Sequence, residues 1–224
     1  MTTRIWLVRH GEPAGMRGRC YGKLDVGLSE AGRAQMQRTA ECLRGEALEA
    51  IYTSPRARTT ESALILGASH SCDCRSDDAL CEIDFGEFEG MPYDEISVRY
   101  PELYRQWMES PTEVQFPGGE SFATMRARVL RAFDAILERH VGSTVAIVTH
   151  GGVVRILLAW ALEMPDPLLL SIGAGLRGDE SVVGGDGRPD CAAHELHPRS
   201  IRFSMIAQTA GSQPFHSPTA LLPR

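Results

Sequence analysis

No stretch of this 224-residue chain approaches the roughly 20 consecutive apolar residues that a membrane-spanning helix requires. The opening Met-Thr-Thr-Arg-Ile-Trp has no signal-type apolar core and runs straight into a strand pattern, so a cytoplasmic location with no membrane partner is the expectation. Cysteines are sparse and scattered, six of them at 20, 42, 72, 74, 81 and 191 without a Cys-x-x-Cys unit. That spacing argues against a disulfide framework and against a zinc site. A basic excess is missing too: 23 Lys and Arg stand against 29 Asp and Glu, a formal net charge of -6. The electrostatic footprint of a nucleic-acid partner is basic, so that class is excluded. Long-range steering of an anionic substrate is disfavoured on the same ground, and any attraction for phosphate must come from a local arginine cluster. What is present, 43% hydrophobic and 23% charged residues, is ordinary for a soluble globular protein of one large α/β domain or two small ones.

The stretch that organises the chain is Ile5-Trp6-Leu7-Val8-Arg9-His10-Gly11-Glu12. A short apolar run bounded by a glycine turn reads as a buried strand of a parallel or mixed sheet. Ligands of open α/β sheets bind at the carboxyl ends of such strands, which is where Arg9 and His10 fall. Arginine presents a fixed fork of donors suited to phosphate oxygens. Histidine can act as nucleophile, base or acid near neutral pH. Taken alone, the pair could equally be two polar residues facing water at a strand end.

Residues 13–27 hold too few apolar side chains to pack as a regular element and read as a loop. Arg17, Arg19 and Tyr21 in it are candidates for contacts with the non-transferred part of a substrate. Ser29 caps a helix whose Met36, Ala40 and Leu43 recur at helical spacing. Residues 50–53 form a short second strand, and Pro55 suits the first turn of the helix that follows. Arg58 then lies in a first helical turn, where the helix dipole also favours an anion. Residues 67–79 are polar and irregular, with room for one short strand around Cys72. Leu80 to Gly90 packs Glu82, Asp84, Glu87 and Glu89 into eight residues with two phenylalanines between them. Such repulsion is costly unless something cationic or catalytic faces it.

Residues 93–108 read as two short helices broken at Pro101 that cap a pocket. Phe122, Met125, Val129, Phe133, Ile136 and Leu137 form one face of a long helix, with Arg126, Arg128 and Arg131 assigned to solvent. Thr144 to Val148 is the most strand-like run, dense in β-branched residues, and it too ends in histidine and glycine, His150 and Gly151. Beyond Pro165 the patterning weakens. Residues 173–198 are expected to form a long loop, Ser200 to Ile206 a half-buried strand closing a sheet edge, and residues 211–224 a flexible tail. His70 and His140 are expected at the surface; His194, His197 and His216 receive no role.

Leu-Val-Arg-His-Gly-Glu at the end of a first strand resembles the signature of the histidine phosphatase superfamily, the phosphoglycerate-mutase-like fold, over about the first three-quarters of the chain. The resemblance implies a three-layer α/β/α sandwich with a mostly parallel central sheet, in a single domain over residues 1–210 with a helical insertion at 93–120. It also implies metal-independent hydrolysis of phosphate monoesters through a phosphohistidine, with no cofactor and no metal ligands. His10 would be the nucleophile. Arg9, Arg58, His150 and the Gly11 and Gly151 amides would hold the phosphoryl oxygens, and Glu82 would transfer the proton, with Glu89 structural. Three departures from the family pattern stand at the second strand turn: Arg56 replaces the usual leucine, Thr59 the usual alanine and Ser62 the usual threonine.

Residues 18–29 are similar to the corresponding loop of α-ribazole phosphatases, which act in cobalamin biosynthesis, and this makes α-ribazole 5′-phosphate the leading substrate. A broad-specificity sugar or nucleotide phosphatase, a phosphoglycerate mutase and a non-catalytic phosphate-binding regulator remain alternatives. The compact span from Glu82 to Phe116 favours a phosphatase, since cofactor-dependent mutases of the family usually carry a longer insertion there. A zinc hydrolase built on His10 and His150 fits poorly, because an arginine beside one of them disfavours a cation. The expected partner is a small-molecule phosphate ester, with a homodimer as an allowed assembly.

Overall fold

The computed structural model describes residues 2–171, 191–194 and 201–206. Among these residues, six strands form one sheet in the order β3-β2-β4-β1-β6-β5. They are β1 (Thr3–Arg9), β2 (Leu48–Thr53), β3 (Asp73–Ser76), β4 (Thr144–Thr149), β5 (Cys191–His194) and β6 (Ile201–Ile206). All neighbours pair in parallel except β5, which runs antiparallel to β6 at the edge. Six α-helices accompany them among the described residues: α1 (Glu30–Leu43), α2 (Ala57–Gly67), α3 (Tyr93–Arg99), α4 (Pro101–Glu109), α5 (Phe122–Arg139) and α6 (Gly151–Ala161).

The side-chain alternation of β1 explains the layering. Trp6 and Val8 point to one face and join Met36 and Leu43 of α1 and Ala63 and Leu66 of α2 in one buried cluster. Ile5 and Leu7 point to the other face and join Val129, Phe133 and Ile136 of α5 and Val153, Val154 and Leu157 of α6. Successive residues of a strand face opposite sides, and both faces of a parallel sheet must be covered by apolar surface. The result is the expected three-layer α/β/α sandwich with a mostly parallel sheet.

The helix starts follow local chemistry. Ser29 caps α1 by accepting the Gly32 N–H, and Ser121 caps α5 by accepting that of Thr124. Pro101 occupies the first turn of α4, where its missing N–H costs nothing. α3 and α4 enclose an aromatic cluster in which Trp107 packs against Phe85, Phe88 and Phe116.

Four details depart from the sequence reading. Pro55 precedes the helix it was expected to open, because Arg56 in extended conformation caps α2. Residues 191–194, expected within a long loop, form β5 against β6; the remainder of 173–198, and the expected tail at 211–224, lie outside the described residues. His140, expected at the surface, is buried: its Nε2 is 2.9 Å from Tyr52 Oη and its Nδ1 2.9 Å from Glu49 Oε1. Arg128, expected in solvent, is pulled down onto the acidic turn as described below. No helix among the described residues is long and apolar enough to cross a membrane.

Candidate active site

Strand register builds the floor of the site. β1 and β4 pair in parallel with Arg9 opposite Thr149, and the His10 N–H donates to the Thr149 carbonyl at 2.9 Å. The residues after these pairs, His10 and His150, therefore emerge side by side. Their rings meet edge to face with centroids 5.2 Å apart, and both are almost fully buried.

Each ring is held through one nitrogen. His10 Nδ1 lies 2.7 Å from the Gly11 carbonyl oxygen. A carbonyl only accepts, so Nδ1 carries the proton and Nε2 keeps a lone pair in the neutral ring. Burial is the main force holding the His10 pKa well below the usual 6.5, and the charges of Arg9 and Arg58 add to it. His150 Nε2 lies 2.9 Å from Ser54 Oγ, while its Nδ1 is buried without a partner among the described residues. Its pKa is also well below 6.5, again from burial first, then from His10, Arg58, Arg9 and Arg56. The ligand-free site thus holds two neutral imidazoles among arginines.

Arg58 is completely buried in the first turn of α2. It is set by a strap formed by residues 22–24. Its Nη2 donates to the Gly22 carbonyl at 2.6 Å and its Nη1 to that of Leu24 at 2.7 Å, leaving a buried Nε without a partner. The N–H groups of Gly22, Lys23 and Leu24 point the other way and donate to the Glu89 carboxylate, which also takes the Phe85 N–H. A carboxylate on the N–H side and a guanidinium on the carbonyl side brace the strap from both sides. Gly22 is required there, because a side-chain carbon would overlap the Ile83 carbonyl oxygen. Tyr21 stacks under Arg58, with the guanidinium carbon 5.2 Å from the ring centroid. It also shares a hydrogen bond with Arg9, while burial raises its own pKa.

Glu82 enters from the acidic turn. Its Oε2 accepts the Gly152 N–H at 3.0 Å, in the first turn of α6, and its Oε1 accepts the N–H of Ile83 at 3.0 Å. The N-terminal N–H groups of a helix have no intrahelical partner and favour a negative charge. A side chain at position 152 would collide with the carboxylate.

Arg9, His10, Tyr21, Arg58, Glu82, His150 and Gly151 are thereby gathered at the carboxyl ends of β1, β2 and β4. Three other expected contributors are arranged differently. Gly11 gives its N–H to Ser62 Oγ at 3.2 Å and uses its carbonyl to orient His10. Arg19 is exposed and donates to the Gly90 carbonyl at 2.7 Å, a contact within the loop. Arg17 is exposed on the same loop.

Several residues at the site escaped the sequence reading. Ser54, at the end of β2, occupies the same strand-end position as His10 and His150, which was a signal for it. Arg155 follows Gly151 by one helical turn, so both share a face of α6. A carbon added at Gly151 would lie 3.5 Å from both Arg155 Nη1 and Arg9 Nε. Arg128 donates to the carbonyls of Ala79, Cys81 and Glu82 and grips Glu120 with Nε and Nη2. Its long stem lets it leave the solvent side of an amphipathic helix and reach inward. Among the described residues no three His, Cys, Asp or Glu side chains converge as a metal site would need.

The chain is similar to known proteins in sequence and in fold. Phosphoserine phosphatase 1 of Hydrogenobacter thermophilus is 38% identical over 148 residues, covering 66% of this chain and 70% of its own. The solved structure of YhfR from Bacillus stearothermophilus is 35% identical and superposes with a TM-score of 0.72 over 75% of this chain and 84% of its own. A putative alpha-ribazole-5'-P phosphatase from Escherichia coli shares the fold at 21% identity, with a TM-score of 0.74 over 94% of this chain and 98% of its own. The sequence profile described as "Histidine phosphatase superfamily (branch 1)" matches residues 5–191, and the chain belongs to that family.

Proposed function

We propose that this chain hydrolyses small-molecule phosphate monoesters through a phosphohistidine on His10. The observation that carries the reading is the state of His10: neutral, proton fixed on Nδ1 by the Gly11 carbonyl, Nε2 lone pair available beside His150 and the arginines. In the first step Nε2 attacks phosphorus and the bond from phosphorus to the leaving oxygen breaks. Glu82, acting as the general acid, gives a proton to that oxygen. In the second step Glu82 takes a proton from water, the water oxygen attacks phosphorus, and the bond to Nε2 breaks to release phosphate. Arg9, Arg58, His150 and the Gly151 N–H stabilise the equatorial oxygens, the main task in phosphoryl transfer.

Phosphoserine joins α-ribazole 5′-phosphate as a first substrate to try, because the Hydrogenobacter relative is named for it while the E. coli likeness speaks to fold alone. The test is phosphate release in the presence of a chelator, from a panel of these two esters, 3-phosphoglycerate, sugar phosphates and nucleotides. Turnover is expected, together with an acid-labile phosphoryl label that H10A fails to acquire. Turnover by H10A within tenfold of the unaltered protein would refute the nucleophile assignment. Interconversion of phosphoglycerates without phosphate release would favour the mutase alternative.

A further inference from the structure

The Glu89 carboxylate is filled by backbone N–H groups. Its Oε1 accepts from Lys23 at 2.8 Å, Gly22 at 3.0 Å and Phe85 at 3.1 Å, and its Oε2 from Gly22 and Leu24 at 3.0 Å. Two of these residues turn their carbonyls the other way, where Gly22 accepts Arg58 Nη2 at 2.6 Å and Leu24 accepts Nη1 at 2.7 Å. A carboxylate and a guanidinium are thus joined through the strap, with N–H groups facing the anion and carbonyls the cation. Hydrogen bonds to a charged group are about twice as strong as neutral ones. Burial lowers the Arg58 pKa, and the charge of Glu89 is among those that oppose it.

Glu89 is itself anchored. Phe88 before it is fully buried against Trp107 and Phe116. After it, the Gly90 N–H donates to the Cys20 carbonyl at 2.8 Å, and the Cys20 N–H to that of Met91 at 2.9 Å. Arg58 takes its aim from the far end of its side chain. The strap carbonyls hold both terminal nitrogens, and the orientation they fix leaves the buried Nε–H without a partner among the described residues. Tyr21 adjoins the strap in the chain, stacks under Arg58 and shares a hydrogen bond with Arg9.

Resting on the reading above that Arg58 meets a phosphoryl oxygen, we propose that Glu89 is a positioning residue of the phosphate site. Through the peptide groups of residues 22–24 it aims the Arg58 Nε–H at the anion. The consequence runs against simple charge counting. Deleting a negative charge from a chain of net charge -6 would by itself favour an anionic ligand, whereas loss of the aim of Arg58 weakens it.

Calorimetric binding of inorganic phosphate to the full chain, E89Q, R58M and E89Q/R58M tests this, with thermal melts to show that each is folded. E89Q places an amide nitrogen where the carboxylate accepted N–H groups, and should weaken phosphate by about 10-fold or more. In the R58M background the same change should matter by no more than about twofold, because its target is gone. E89D, which keeps the charge on a shorter stem, should lose less, and it carries the same test if E89Q does not fold. In 1H–15N spectra the Arg58 Nε–H signal should move in E89Q while the His10 amide, held by the sheet, stays in place. Phosphate affinity unchanged or raised in E89Q, a loss as large in R58M as in its absence, or phosphate bound no better by the unaltered protein than by R58M overturns the proposal. A Glu89- and Arg58-dependent affinity without turnover of any ester would instead count against the phosphatase reading alone.

Discussion

Replacing Arg128 with methionine tests how the acidic turn is held. The guanidinium makes five hydrogen bonds, to both Glu120 oxygens and to the carbonyls of Ala79, Cys81 and Glu82, at 2.7–3.1 Å. The two ionic side chains are 19% and 12% exposed. Breaking a buried pair costs roughly 3–5 kcal/mol and an exposed one less than about 1. The small residual exposure places this pair near the lower end of the buried range, about 3 kcal/mol. For a domain of this size each kcal/mol moves the melting temperature by about 2–4 °C, so R128M should melt about 6–12 °C lower. Part of the loss is the orphaned Glu120 carboxylate, and the double variant R128M/E120Q should recover about 1 kcal/mol of it. Activity should fall more than stability explains. The Glu82 carbonyl loses its anchor, and displacement of a proton donor by an ångström costs about 100-fold. Phosphate release measured well below the melting temperature should show that loss in kcat rather than KM. A melting temperature within 2 °C of the unaltered protein, or an undiminished kcat in a destabilised variant, would refute the assignment of Arg128 as the residue that positions Glu82.

Removal of the Ser54 hydroxyl in S54A leaves the buried His150 ring without its partner on Nε2. Turnover should drop about 10-fold or more while S54T, which keeps the hydroxyl, restores most of it; equal activity in S54A and S54T would dismiss the contact. The two depressed histidines also set a pH dependence of folding. The unfolded chain binds protons at both positions near pH 6.5, whereas the folded chain does so only at lower pH. The unfolded state thus binds more protons in that window, so stability of the ligand-free protein falls as pH drops below about 6.5. The slope is up to about 1.4 kcal/mol per pH unit for each ring. Urea unfolding at pH 7.5 and 5.5 reads this directly, and an H10Q/H150Q variant with an unchanged slope would contradict it.

The two strand-histidine-glycine segments made the floor of the site legible, because a parallel sheet aligns the ends of neighbouring strands and β1 and β4 proved to be neighbours. The layering was legible through the resemblance: the continuous apolar run of β1 marked a buried strand, and the family likeness implied the helical layers on both faces of the sheet. What escaped were contacts made by long or ambivalent side chains across the fold. Arg128 sits on the polar side of an amphipathic pattern, which gives no hint that its stem bends inward over the acidic turn. His140 ends α5, usually a solvent position, yet Tyr52 and Glu49 from β2 enclose it. The glycine of the first turn looked like an N–H donor to phosphate, while its N–H goes to Ser62 on α2, a partner 51 residues away. The four residues of β5 stand within a Gly-, Asp- and Pro-rich stretch, where composition hides a strand that exists by pairing with β6.

The paired strand ends and the braced strap also differ in how readily they open. The His10 amide is locked to Thr149 between the two central strands, so its hydrogen exchanges only when the sheet itself comes apart. The strap over residues 22–24 is a short segment held by one carboxylate and one guanidinium, with Lys23 exposed at its tip. Its amides are therefore expected to exchange by a local opening that costs less than separating the sheet, and such an opening would break both contacts of Arg58 with the strap. The imidazoles are thus aimed by the sheet, while the aim of the arginine depends on the strap that takes its two terminal nitrogens.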